Sequence, residues 1–279
     1  MPGSRRPGPG RTHRHHRRGG RGRPDPRTVE RFGRIDVWVN NAGVYLLGSL
    51  EATPPEAFRR VLETNFFGYV HGARAVLPHF RAQGHGVLIN NASVYAHIAA
   101  PWLTAYVSSK FAVRGFSEAL RQELSDLPDV HVCTVSPSPI DTPIFASAAN
   151  YSGRAVTAPP PTYPPEQVAR AILASALHPE RERIVGGAGR LAAVLEMVAP
   201  RRFERVNRRY VDRLQFAAEP APASDGNLYA PSSDRHPRTR GGWRRRPDPP
   251  IAVRRVVAAG LVTAGSLVVA RIATRSGRS

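Results

Sequence analysis

Four short apolar runs, separated by long stretches of helical periodicity, constrain this chain more than any other feature. The runs are Ile35–Val39, Val87–Ile89, Val130–Val135 and Ile184–Val185. Between them lie Pro54–Phe80, Thr104–Leu124 and Glu166–Leu177, with apolar residues near i, i+3, i+4 and i+7. Strands joined by helices of this length imply βαβ units, hence a parallel sheet covered on both faces. The expectation is one α/β domain over residues 28–216, continued as a single helix from Leu191 to Phe216.

The flanks differ from this core. Residues 1–27 are Arg, Gly, Pro and His with no apolar residue after Met1, and they read as a disordered head. Residues 217–250 are rich in Pro, Ala, Ser and Arg and read as a linker. A hydrophobic helix is expected over 251–273, because Val256–Ala270 is uncharged and bracketed by arginines. At 1.5 Å per residue that run spans ~22 Å, short of a hydrocarbon core of ~30 Å. Membrane contact through 256–270 and a packing or oligomer-forming helix stay open. A secretory signal needs an apolar run of ~7–15 residues near the start, and the first run here is Ile35–Val39. The expected location is the cytoplasm, with membrane association as the alternative.

Charge sorts the function classes. The whole chain carries a formal +19, which suggests nucleic acid until the charge is located. Nearly all of it sits in residues 1–27 and 235–279, and the part between is close to neutral. The head also lacks aromatic residues between its arginines, so a basic-tailed nucleic-acid binder is the weaker reading. One cysteine excludes a disulfide scaffold, and no Cys/His cluster has zinc spacing, so no metal site is expected. Cys133 reads as a core thiol, and His13, His15 and His16 lie in the head. Of the 40 basic residues, only Lys110 is lysine.

That lysine stands four residues after Tyr106, on one face of a helix. A tyrosine of pKa ~10 is a poor base near neutrality, and a cation one turn away favours its phenolate. Ser93 follows the run Val87–Ile89, and Asn40-Asn41-Ala42-Gly43 follows Ile35–Val39. Both therefore fall at carboxyl ends of strands, where open α/β sheets bind their ligands. Asn65 lies within the helical stretch Glu56–Phe80.

The stretch from about Arg31 to Thr142 resembles the short-chain dehydrogenase/reductase family. The segments that carry the likeness are IDVWVNNAG, FRRVLETNFFGYVHGA, GVLINNASV, AYVSSKFAVRGFSEALRQEL and VHVCTVSPSPIDTP. The resemblance implies a Rossmann-like doubly wound sheet, NAD or NADP as cofactor, and hydride transfer to or from a small alcohol or carbonyl substrate. It also implies that Tyr106 is the acid/base and that Ser93 hydrogen-bonds the substrate oxygen. Lys110 would bind the nicotinamide ribose, and Asn65 would hold a water in the proton relay. Asn40, Asn41, Ala42 and Gly43 would line the cofactor, with Tyr106, Lys110 and Pro137 beside it and Ile140 and Thr142 at its carboxamide end. Asp141 is expected to be structural.

Two departures stand out. Pro137 is followed by Ser138, where the family has glycine. No glycine-rich strand-turn-helix precedes Asn40, so the first strands and the pyrophosphate cradle are expected to be missing. A non-catalytic relative unable to bind cofactor is accordingly the second class of function. Gly186-Gly187-Ala188-Gly189 comes after the catalytic residues and reads as a turn.

Overall fold

A computed structural model describes residues 26–231 and 238–245. Residues 1–25 of the head and the run Val256–Ala270 lie outside the described residues, whereas Pro26 and Arg27, expected as the end of a disordered head, open a helix. Among the described residues no helix is long and apolar enough to cross a membrane.

The elements follow the alternation of the sequence. Helix α1 (Pro26–Phe32) leads into β1 (Val37–Asn40) and the short β2 (Leu46–Leu47). Helix α2 (Pro55–Leu62) opens on proline, whose missing N–H costs nothing in a first turn, and has Glu56 at its positive end. A π-helical turn, Glu63–Phe67, joins it to α3 (Gly68–Gln83), which stops at Gly84 in the left-handed conformation. Then come β3 (Gly86–Asn91), α4 (Thr104–Glu123), β4 (Val130–Pro137), β5 (Ala149–Asn150), β6 (Arg154–Val156), α5 (Pro165–Leu177) and β7 (Glu182–Val185). Helices α6 (Gly187–Val198) and α7 (Pro200–Leu214) and strand β8 (Phe216–Pro220) close the succession.

Strands β1, β3, β4 and β7 form one parallel sheet in the order β1-β3-β4-β7. The period-2 alternation of each strand divides the core between the two faces. Leu88, Val130 and Val132 meet Ala73, Val76 and Phe80 of α3 and Leu120 of α4. Val87, Ile89, Cys133 and Val135 point the other way, onto Val168, Ala171 and Ile172 of α5. The sheet is thus covered on both faces, as its apolar strands require, and Cys133 is a core thiol. Strand β1 is the exception. Its one sheet partner among the described residues is β3, and Val37 and Val39 remain 38% and 39% exposed.

Three expectations need correction. The helix expected over Leu191–Phe216 is two helices, broken at Ala199 before Pro200. A proline there has no N–H for the residue one turn back, and its ring clashes with that carbonyl. Gly187–Gly189, expected as a turn, opens α6. Residues 217–250, expected as linker, are in part built into the fold. Strand β8 pairs antiparallel with β6, Ser224 bridges to Asn150, Leu228 is buried against α2, and Trp243 packs on the main core.

Candidate active site

A cleft of about 550 Å³ lies outside the carboxyl ends of β1, β3 and β4. Asn41, Gly43, Ser93, Tyr106, Lys110, Pro137, Ile140 and Thr142 all line it. Strand β3 delivers Ser93 just past its last residue, and α4 presents Tyr106 and Lys110 one turn apart.

Lys110 is buried, and its ammonium donates to the main-chain carbonyl of Asn91 at 3.0 Å. It also stands 5.6 Å from the centroid of the Tyr106 ring. Burial pushes Lys110 down to about 7 and pushes the Tyr106 phenol up to about 12, against a smaller opposite pull from a hydrogen bond with Ser93. The sequence leads one to expect that the lysine lowers the tyrosine. In this cleft the removal of both groups from water is the larger effect, because each is almost wholly buried in its wall. Ser93 Oγ accepts the amide N–H of Tyr95, which leaves its own hydroxyl proton to be donated on the cleft side, where Tyr106 stands.

Asn65 sits in the π-helical turn, a distortion that often marks functional positions in helices. Its Oδ1 accepts from the Val44 amide at 2.8 Å, and its Nδ2 donates to the Val44 carbonyl and to Ser109 Oγ. Both N–H groups are taken. The side chain therefore ties the loop after β1 to α4, where the resemblance implies a water-holding role.

Asn40 and Ala42 do not line the cleft. Asn40 is buried, donates to Asn90 Oδ1 and the Tyr69 carbonyl, and accepts from the Trp38 indole. It locks β1 to β3 and to α3, which comes so close at Gly72 that a Cβ there would collide with the Asn40 side chain. Of the Asn-Asn pair, only Asn41 faces the cleft, alongside Asn91.

Ser138 is accommodated from across the fold. It is buried, its amide donates to the Val185 carbonyl, and its side chain fills the space beside Gly186 and Gly189. A Cβ on Gly186 would come within 2.6 Å of Ser138 Oγ, and one on Gly189 would be closer still. Gly186 also has φ +100, in the region that favours glycine. These glycines make room for the serine.

Sequence reasoning missed Tyr45, Tyr95 and Asn91. The Tyr45 ring meets the Tyr106 ring edge-on at 4.5 Å, and Tyr95 meets it at 6.2 Å. Asn91 Oδ1 is a buried acceptor without a hydrogen-bond partner among the described residues. The only sequence signal for Asn91 is its place at the end of an apolar run. Asp141 is structural as expected: it is buried, and its carboxylate accepts the Trp243 amide.

An open parallel sheet with a polar cleft at the carboxyl ends of its strands is the architecture of dinucleotide-binding α/β proteins. Similarity to known proteins narrows that class. The profile of the short chain dehydrogenase family matches residues 26–151. The chain is 35% identical over 243 residues to the uncharacterized oxidoreductase YxnA of Bacillus subtilis, covering 85% of this chain and 68% of that protein. It is 35% identical over 182 residues to dehydrogenase/reductase SDR family member 7B of Bos taurus, covering 63% of this chain and 55% of that one. Among solved structures, a short chain dehydrogenase from Burkholderia cenocepacia in complex with NADP matches at a TM-score of 0.54 and 29% identity. That match covers 63% of this chain and 70% of the other. The chain belongs to the short-chain dehydrogenase/reductase family of oxidoreductases.

Proposed function

We propose that this cleft binds the reacting end of a nicotinamide nucleotide and that Tyr106 is the acid/base for an alcohol or carbonyl substrate. The observation that carries the reading is the convergence of Ser93, Tyr106 and a buried, carbonyl-anchored Lys110 on one cleft. The residues present fit such a ligand. Lys110 offers an ammonium, Asn91 Oδ1 is an acceptor awaiting a donor, and Pro137, Ile140 and Thr142 supply a wall for a flat ring. Asn41, Gly43, Lys110, Pro137, Ile140 and Thr142 would hold the nucleotide, NAD or NADP, which when bound takes up or supplies the hydride.

The remaining chemistry belongs to the chain. In reduction the Tyr106 hydroxyl gives its proton to the substrate oxygen, and in oxidation the phenolate takes that proton from the alcohol. Ser93 donates its hydroxyl to the same oxygen and fixes the carbon to be reduced or oxidised. Lys110, once protonated against a ligand, favours the phenolate and brings Tyr106 down toward the working range. Tyr45, Tyr95 and Phe145 wall the substrate side with rings and exclude water. A small uncharged alcohol or carbonyl compound fits these walls, in which Lys110 is the one cation among the described residues.

The test is a titration of the full chain with NADH and NADPH, followed by nucleotide fluorescence, and then turnover of Tyr106→Phe. Binding of either nucleotide is expected, with a ~10²–10⁴-fold loss of turnover in the variant and its fold unchanged. A variant within about tenfold of the parent would reject the acid/base assignment.

A further inference from the structure

The sequence Gly241-Gly242-Trp243 lies in a stretch whose composition reads as linker, yet it is held against the cleft by main chain and side chain alike. The Gly241 amide donates to the Asp141 carbonyl at 3.2 Å, and the Trp243 amide donates to Asp141 Oδ1 at 2.7 Å. The Trp243 indole N–H donates to the Thr142 carbonyl at 3.0 Å. Its ring meets Phe145 edge-on at 6.0 Å, and the neighbouring Arg240 pairs with Glu166 in the first turn of α5 at 2.6 Å. Each glycine has its own reason. A Cβ on Gly241 would collide with the Thr142 carbonyl, and Gly242 has φ +79.

The segment grips the short stretch Asp141–Phe145, which gives Thr142, Ile144 and Phe145 to the cleft. From Trp243 a run of edge-on rings continues inward. Phe145 meets Tyr45 at 5.4 Å, and Tyr45 meets Tyr106 at 4.5 Å. Such contacts define both distance and tilt, so displacement of the outermost ring is felt at the next.

We propose that Gly241–Trp243 is a strap that positions Asp141–Phe145 and, through Phe145 and Tyr45, the Tyr106 ring, with Trp243 as a positioning residue for the substrate end of the cleft. The inference rests on the reading of this cleft as the active site. Trp243 touches no reacting atom. It fixes the wall against which a substrate is pressed.

The test is amide hydrogen exchange on the full chain, on Trp243→Ala and on Trp243→Phe, all without nucleotide. Exchange across residues 141–147 is expected to rise by about tenfold or more in Trp243→Ala, with β3 and β4 unchanged. Trp243→Phe keeps a ring against Phe145 and loses the indole N–H, so it is expected between the two. Unchanged exchange at 141–147, or a rise of equal size in β3 and β4, overturns the strap. This readout needs no turnover, so a chain that binds no nucleotide would reject the proposed function while the exchange result still decides the strap. In an active chain, Trp243→Ala is expected to raise KM for substrate and, because the Tyr106 ring is displaced with Phe145 and Tyr45, to lower kcat as well. Parental values of both KM and kcat in Trp243→Ala overturn the positioning role.

Discussion

Lys110 donates to the main-chain carbonyl of Asn91 at 3.0 Å, so the one lysine of the chain is anchored to the end of β3 before any ligand arrives. That anchoring places a buried ammonium where burial lowers its pKa from 10.5 to about 7. The unfolded chain keeps this proton up to about pH 10.4, whereas the folded chain releases it near 7. The unfolded state therefore binds more protons in that window, and stability of the ligand-free protein rises as pH rises through it. Lys110→Met is expected to stabilise the ligand-free fold at pH 6 by on the order of 3 kcal/mol, with the gain fading toward pH 10. Urea unfolding at both pH values checks this, and equal gains at both would contradict it.

Asn65 has both N–H groups and an acceptor engaged by Val44 and Ser109. Asn65→Ala leaves the Val44 amide and carbonyl without those partners in a buried place, at roughly 1–3 kcal/mol for each group left unpaired. A lowered urea midpoint with an unchanged m-value is expected. A midpoint equal to the parent's would mean that the loop after β1 relaxes without cost.

Gly189 and Ser138 share one small space. Gly189→Ala is expected to destabilise by about 1–3 kcal/mol through overpacking, since the new Cβ also comes within 3.0 Å of Val94. Ser138→Gly in the same chain should recover much of that loss. Thermal unfolding of the two singles and the double gives the coupling between them, and strict additivity would show that the residues do not compete.

Ser93→Ala removes a hydroxyl whose oxygen caps Tyr95 and whose proton is donated on the Tyr106 side of the cleft. Turnover is expected to fall ~10²–10³-fold, the usual cost of deleting a donor to a reacting oxygen. Nucleotide fluorescence titrations should give the same affinity as the parent. A variant that loses nucleotide binding together with turnover would place Ser93 on the cofactor instead.

The strands were legible because a buried parallel strand has to be an apolar run. All four lie within two residues of where the runs place them. Tyr106 and Lys110 were legible because helical spacing alone sets them on one face. Asn40 and Asn41 were not separable, since the local pattern says where the pair lies and not which member turns inward. The break between α6 and α7 was signalled by Pro200, but the apolar stripe on either side masked it. The contacts of Gly241–Trp243 were hidden for another reason. They are made largely by main-chain groups and by glycines admitting close approach, to which hydrophobic patterning is blind. The opposed shifts of Tyr106 and Lys110 depend on burial by residues far apart in sequence, which exists only once the chain is folded.

The π-helical turn at Glu63–Phe67 also sets the rotational phase of α3 relative to α2. One residue in an α-helix is a rotation of about 100°. Ala57 and Val61 are buried before the turn, and Tyr69, Ala73, Val76 and Phe80 after it. Deleting a single residue within the turn would swing Tyr69 and Phe80 by about a quarter-circle relative to Val61 and carry Asn65 off the Val44 loop. Point substitutions can be absorbed along this helical stretch, but a change of one in its length rotates half of the helix away from the sheet.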